Sequence, residues 1–190
     1  CATQETIVAD GVERRIAVPI PDRIERIAKT AINWAKLRMI PNSQKKIAIL
    51  FHNTPGNDKI GCGEGLDTFE SVRRVIQTLR KEGCSLEYEF PDGQAVANAL
   101  TEALTNDVRW LSSDKMAELA LDRVASSRHE KWFANLRDGV REQLSLRWGK
   151  APGTVMTHEG EVLIPGIKNG NVFIGLQPSR AYGEVASSLY

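Results

Sequence analysis

Apolar residues recur along this chain in two periods, and the change of period marks its elements. Ile24, Ile27, Ala28, Ala31, Trp34 and Ala35 return at helical spacing, which predicts a helix N-capped by Asp22 and ended near Met39, before Pro41. Ahead of it, Ile7, Val8, Ile16 and Val18 are strand positions around an Asp10-Gly11 turn signal, so residues 1 to 18 read as a short extended arm. Residues 45 to 52 are apolar at nearly every position from Ile47 to Phe51, the pattern of a strand buried on both faces. Asp67 or Thr68 caps the next predicted helix, whose inward stripe is Val72, Val75, Ile76 and Leu79 and whose stop is Gly83. Leu86 to Phe90 alternates as a second strand.

From Pro91 to about Leu146 the pattern is helical, with stripes at Val96, Leu100 and Leu104, at Met116, Leu119 and Val124, and at Trp132, Leu136, Val140 and Leu144. Thr154 to Thr157, Glu161 to Ile164 and Asn171 to Leu176 then read as strands, with Asn169-Gly170 as the reversal between the last two. The expected fold is α/β: a mostly parallel, Rossmann- or flavodoxin-like sheet with a helical insertion at about 91–147 and a C-terminal β-hairpin. Residues 1–44 form an N-terminal arm and helix, and 45–190 the α/β domain.

Composition narrows the function classes. The 190 residues carry 25 Lys+Arg against 24 Asp+Glu, a net charge of +1, which offers no field for nucleic acid or a membrane surface. Aromatics are 6%, with no strip interleaved with Arg for base stacking. Three widely spaced cysteines, Cys1, Cys62 and Cys84, fit a reducing compartment and hence the cytoplasm. No apolar run approaches the roughly 18 residues of a membrane span.

Candidate chemistry gathers at two places. Gly61, Gly63 and Gly65 suggest a dinucleotide loop, but Leu66 stands where the third glycine of Gly-x-Gly-x-x-Gly belongs, and residues 54 to 60 separate the glycines from the strand. No Gly-Lys-Ser/Thr completes a Walker A motif either, so ATP chemistry belongs to another polypeptide. What remains is a side-chain-poor loop at the carboxyl end of a buried strand, the edge where open α/β sheets place ligands. The alternative is that these glycines only satisfy positive-φ turns. His52 and Asn53 at the strand exit, with Glu64 and Asp67 in the loop, bring an imidazole and two carboxylates toward one pocket; for Asp67 the competing role is the helix cap, and for His52 that of an ordinary hydrogen-bonded histidine at a strand end. Gln177, Arg180 and Tyr182 follow the last strand and offer amide, guanidinium and aromatic contacts; the alternative is a corner where Pro178 ends the strand and Arg180 meets a surface acid. Trp148 reads as a packing anchor. His129 and His158 lack the spacing of a structural metal site, so none is expected.

Several of these segments resemble the large subunit of the ATP-dependent tetrapyrrole metal chelatases, cobaltochelatase and its magnesium-chelatase relatives. The likeness covers most of residues 15 to 190 and runs through the Lys45–Asn53 strand, the Gly65-Leu-Asp-Thr68 helix entry, Trp148-Gly-Lys-Ala-Pro-Gly153, Ile164-Pro-Gly166 and Gly170-Asn-Val-Phe-Ile-Gly-Leu-Gln-Pro178. Where the family commonly reads Gln-Pro-Pro-Arg-Gly-Tyr, this chain has Gln177-Pro-Ser-Arg-Ala-Tyr182, and its glycine loop carries Cys62. The resemblance implies a fragment of a longer subunit that inserts cobalt or magnesium, as substrate, into a corrin precursor or porphyrin. It implies no tightly bound cofactor, and ATP hydrolysed on a AAA+ partner that acts with a companion chelatase subunit. A flat macrocycle would approach the glycine loop, with Gln177, Arg180 and Tyr182 meeting its periphery. The family's His-Gly-Thr-His-Gly segment lies downstream of the Gln-Pro element, so catalytic residues are expected outside these 190 and the piece alone is expected to be inactive. The alternatives are a free-standing flavodoxin-like nucleotide-binding domain, and a scaffold that docks partner subunits.

Overall fold

The structure, a computed structural model, describes residues 2–52, 65–106 and 111–177. The chain divides into two compact units, Cys1–Lys45 and Lys46–Tyr190.

In the first unit, β1 (Ala2–Ala9) and β2 (Val12–Pro19) pair antiparallel with Ala9 opposite Val12, so Asp10 and Gly11 alone make the turn. Both have positive φ, 55° and 74°, the type I′ geometry whose twist suits a hairpin. The helix α1 (Pro21–Met39) starts differently from the expectation. Ile20 is the N-cap and Pro21 fills the first helical position, where a missing N–H removes no helical bond; Asp22 lies inside the first turn, where its charge suits the helix dipole.

The second unit runs β3 (Ile47–Phe51), α2 (Thr68–Lys81), α3 (Gly93–Glu102), α4 (Ser113–Leu119), β4 (Asp122–Ala125), α5 (Ser126–Ala134) and α6 (Asp138–Trp148). It finishes with β5 (Thr157–His158), β6 (Glu161–Ile164), β7 (Ile167–Asn169) and β8 (Val172–Leu176). The α/β class holds, but the mostly parallel sheet does not. Among the described residues β3 and β8 are the one parallel pair, in a sheet ordered β3-β8-β7; β4-β6-β5 form a separate antiparallel sheet. Nor is β3 buried on both faces. Phe51 is in the core and Ile47 and Ile49 pack against it, whereas Leu50 on the other face is 57% exposed.

The main core joins Phe51, Val172, Ile174 and Leu176 of the sheet to Val72 and Ile76 of α2 and Val96 and Leu100 of α3. A smaller cluster gathers Leu104, Ala117 and Leu163. The helix α2 is sharply bounded at both ends. Asp67 Oδ1 accepts from the Glu70 N–H at 3.0 Å, a cap of the kind worth about 1 kcal/mol. At the other end Gly83 takes φ 80° while Cys84 N–H donates to Leu79 O and Gly83 N–H to Arg80 O, a Schellman closure.

Within α2, Arg73 Nε donates to Glu70 at 2.7 Å and Arg74 Nε at 3.1 Å. These guanidinium hydrogen bonds, Arg73 first, hold the Glu70 carboxyl at about 2, down from 4.5. A depressed folded-state pKa contributes stability above the unfolded value that is lost as pH falls through the folded one. Thermal melting is therefore expected to drop between about pH 4.5 and pH 2, and Glu70→Gln to flatten that part of the profile.

Several predicted elements are corrected. Leu86 to Phe90 forms no strand, because its backbone is bridged by a side chain instead of a ladder: Asn169 Oδ1 accepts from the Glu87 and Tyr88 N–H groups at 2.8 and 3.1 Å, and Asn169 Nδ2 donates to Tyr88 O at 3.0 Å. The insertion at 91–147 is not wholly helical, since Val124, assigned to a helical stripe, lies in β4. No residue of α5 or α6 is buried, and Trp132 is 60% exposed, so the third stripe faces no core among the described residues. Trp148 is likewise open, with the Arg147 guanidinium 5.5 Å from its ring centroid. The strand expected at 154 to 157 shrinks to Thr157 and His158. The last reversal is Gly170-Asn171, between β7 and β8, while β6 belongs to the other sheet.

Candidate functional site

The strands β3 and β8 run parallel and in register to their last residues, Phe51 opposite Leu176, so both chains leave the sheet at the same edge. The next residue on each side is polar. His52 Nδ1 lies 3.1 Å from Gln177 Oε1. With that oxygen as acceptor, Nδ1 carries the proton and Nε2 keeps its lone pair, which gives the imidazole one basic nitrogen of defined direction. Gln177 is itself held: its N–H donates to Phe51 O at 2.9 Å, and its C=O accepts from Asn106 Nδ2 at 2.7 Å. Asn106 is 9% exposed, so this support comes from inside the molecule.

Two residues before Gln177 the chain needs a glycine. A Cβ on Gly175 would fall 2.7 Å from Cζ of Phe173, whose ring occupies that side of the strand. The edge is thus built from a parallel register, a buried amide and a ring-filled glycine, with an exposed imidazole at its tip.

The predicted site residues divide as follows. The structure joins His52 and Gln177. Asp67 is engaged as the α2 cap. Gly65 has φ 69° and open space where a Cβ would stand, so its backbone conformation, not close packing, calls for glycine. Asn53, Gly61, Gly63, Glu64, Arg180 and Tyr182 lie outside the described residues, as do Cys62 and most of the glycine loop. Among the described residues no group of three His, Cys, Asp or Glu side chains could hold a metal ion. His158 instead meets Ser113, with Nδ1 2.9 Å from Oγ, and ties β5 to the start of α4. Asn106 was not anticipated from the sequence; an Asn after a helix end reads as an ordinary loop residue, and its partner is 71 residues away.

This architecture is a mixed α/β domain within the size range of one module of a larger protein. The comparisons give it a family. The CobN/Magnesium Chelatase family model matches residues 1–190, and the chain belongs to that family. It is 41% identical over 172 residues to an uncharacterized protein of Methanocaldococcus jannaschii, covering 90% of this chain and 14% of that protein. It is 30% identical over 171 residues to the aerobic cobaltochelatase subunit CobN of Pseudomonas aeruginosa, covering 89% of this chain and 13% of that subunit. In three dimensions it matches the catalytic subunit of cobaltochelatase from Mycobacterium tuberculosis with a TM-score of 0.76 and 26% identity, over 97% of this chain and 15% of that one. The chain therefore spans about one seventh of the length of these relatives. Among the described residues no helix is long and apolar enough to cross a membrane.

Proposed function

We propose that the carboxyl edge of β3 and β8 forms part of the tetrapyrrole-binding surface of an ATP-dependent metal chelatase, one that inserts cobalt or magnesium into a corrin precursor or porphyrin. The observation that carries this is the His52–Gln177 pair at the shared end of two parallel strands, in a chain of the CobN/magnesium chelatase family. Metal insertion exchanges two inner N–H protons of the macrocycle for one divalent cation, so each turnover needs acceptors for two protons. His52 Nε2 is one such acceptor, aimed by the bond from Nδ1 to Gln177. Gln177, fixed by Asn106 and by the Phe51 carbonyl, keeps the imidazole from turning. Arg180 and Tyr182 are proposed to meet the polar periphery of the macrocycle, and Asn53, Glu64 and the Gly61-Gly63-Gly65 loop its near face.

ATP is proposed to act on a AAA+ partner subunit that works with a companion chelatase subunit, since this chain carries no Walker A sequence. No tightly held cofactor is needed here, and the metal is substrate. These steps are proposed for the cytoplasm, in keeping with the sparse cysteines.

The test is a porphyrin titration of the full-length subunit carrying these residues, read by tryptophan quenching. His52→Ala is expected to raise Kd about tenfold, the effect of one lost polar contact of about 1.4 kcal/mol. Because His52 is exposed, melting should stay unchanged. Unaltered Kd in the folded variant would take the macrocycle away from this edge.

A further inference from the structure

Gln177 is pinned from two sides, and the second side belongs to a different part of the fold. Its N–H donates to Phe51 O, a bond that the pairing of β3 with β8 supplies by itself. Its C=O accepts from Asn106 Nδ2 at 2.7 Å, across 71 residues of sequence. With both main-chain groups engaged, the Cα–Cβ direction of Gln177 is set, and so is the approach of its amide to His52 Nδ1.

Asn106 owes its own place to the second core cluster. Two residues before it, Leu104 is completely buried with Ala117 of α4 and Leu163 of β6. Both backbone groups of Leu104 are used: its N–H donates to Leu119 O at the end of α4, and its C=O accepts from Gly166 N–H in the turn between β6 and β7. That turn is pressed in its turn against β8, because a Cβ on Gly166 would fall 2.7 Å from Ile174 O. The segment 104–106 is thus anchored between α4, the antiparallel sheet and β8, and carries a largely buried amide to the carbonyl at the site's edge.

We infer that Asn106 is a positioning residue for His52. By holding the Gln177 carbonyl it keeps Oε1 on Nδ1, which fixes the proton on that nitrogen and leaves Nε2 as the basic one. α4 and the antiparallel sheet thereby belong to the construction of the site. The inference rests on the reading of His52 as a macrocycle-facing base, and goes beyond it by naming what selects the tautomer.

Two variants test it: Asn106→Ala, and Asn106→Ser, whose hydroxyl is one bond too short to reach the carbonyl. The first readout is long-range proton–nitrogen NMR of the 190-residue chain with labelled histidine rings, at a pH where the rings are neutral. The Nδ1–H form of His52 is expected in the unsubstituted chain. Both variants are expected to shift to the Nε2–H form that free imidazole favours in water. The second readout is porphyrin Kd in the full-length subunit. Asn106→Ala is expected to raise it about fivefold, but by less than about twofold when His52 is already alanine, since an effect carried by His52 vanishes with it. An Nδ1–H ring that persists in both variants, or equal factors in the two backgrounds, would overturn the inference and leave the reading of His52 in place. Loss of the melting transition in both variants would also overturn it, making Asn106 a purely structural residue. A tautomer switch together with unchanged Kd in His52→Ala would uphold the positioning role and take the macrocycle away from this edge.

Discussion

Asn169→Ala is expected to lower the urea midpoint sharply, with a stability loss of about 3 kcal/mol. The side chain is completely buried and makes three hydrogen bonds to the backbone of Glu87 and Tyr88. Alanine offers neither acceptor nor donor, so two N–H groups and one C=O lose their partner together. Each buried group left unsatisfied costs roughly 1–3 kcal/mol, and the partial exposure of residues 87 and 88 places the sum toward the lower end. An equilibrium urea melt with an unchanged slope reads the effect directly. A loss no larger than that of an ordinary surface substitution would mean that water replaces the amide at no cost, and that the segment after Cys84 is held some other way.

Gly170→Ala is expected to cost about as much by a different route. Gly170 opens the two-residue turn between β7 and β8 with φ 60°, a region where an L-residue pays roughly 1–2 kcal/mol. Its Cβ would also fall 2.4 Å from Ser85 O and 2.9 Å from Leu86 Cα, contacts with backbone that no rotamer change can relieve. Overpacking of this kind adds roughly 1–3 kcal/mol. The neighbouring Asn171 N–H donates to the same Ser85 carbonyl at 2.9 Å, so the clash displaces a hydrogen bond as well. Both substitutions loosen the contact between residues 85–88 and the β7–β8 turn, so the double variant should lose less than the sum of the two. Full additivity in a double-mutant cycle would show that the amide bracket and the turn act separately.

These two residues also explain where the sequence stopped being legible. An alternating Leu86–Phe90 looks like a strand because pattern reports which side chains turn inward; what satisfies the backbone is a side chain 81 or 82 residues away. The four-residue β4 was lost inside a helical reading because so short a strand shows too little period to compete with the helices around it. Local chemistry was readable wherever the signal and its effect were neighbours. Asp10-Gly11 makes the hairpin turn, Asp67 caps α2 and Gly83 ends it. The Asp22 cap was misplaced by two residues because Pro21 is the first residue of the helix and Ile20 its N-cap.

The candidate site was legible in its members but not in its construction. His52 and Gln177 were each singled out as polar residues following an apolar strand, yet 125 residues separate them. Their meeting depends on β3 and β8 pairing in parallel and in register. Nothing near either residue announces that pairing, or that Asn106 would hold the Gln177 carbonyl from within. Gly175 lies within the Gly170–Pro178 segment of family likeness, but the Phe173 ring that crowds a Cβ there is visible only once the strand is built.

The central claim is that a tetrapyrrole sits against the end of β3 and β8, and photo-crosslinking tests it most directly. A porphyrin carrying a photoreactive group on its periphery would be irradiated on the full-length subunit and the adducts mapped by mass spectrometry, with unlabelled porphyrin as competitor. Competable adducts are expected in the peptides that contain His52 and Gln177. Competable adducts confined to peptides outside residues 47–52 and 172–177 would contradict the claim.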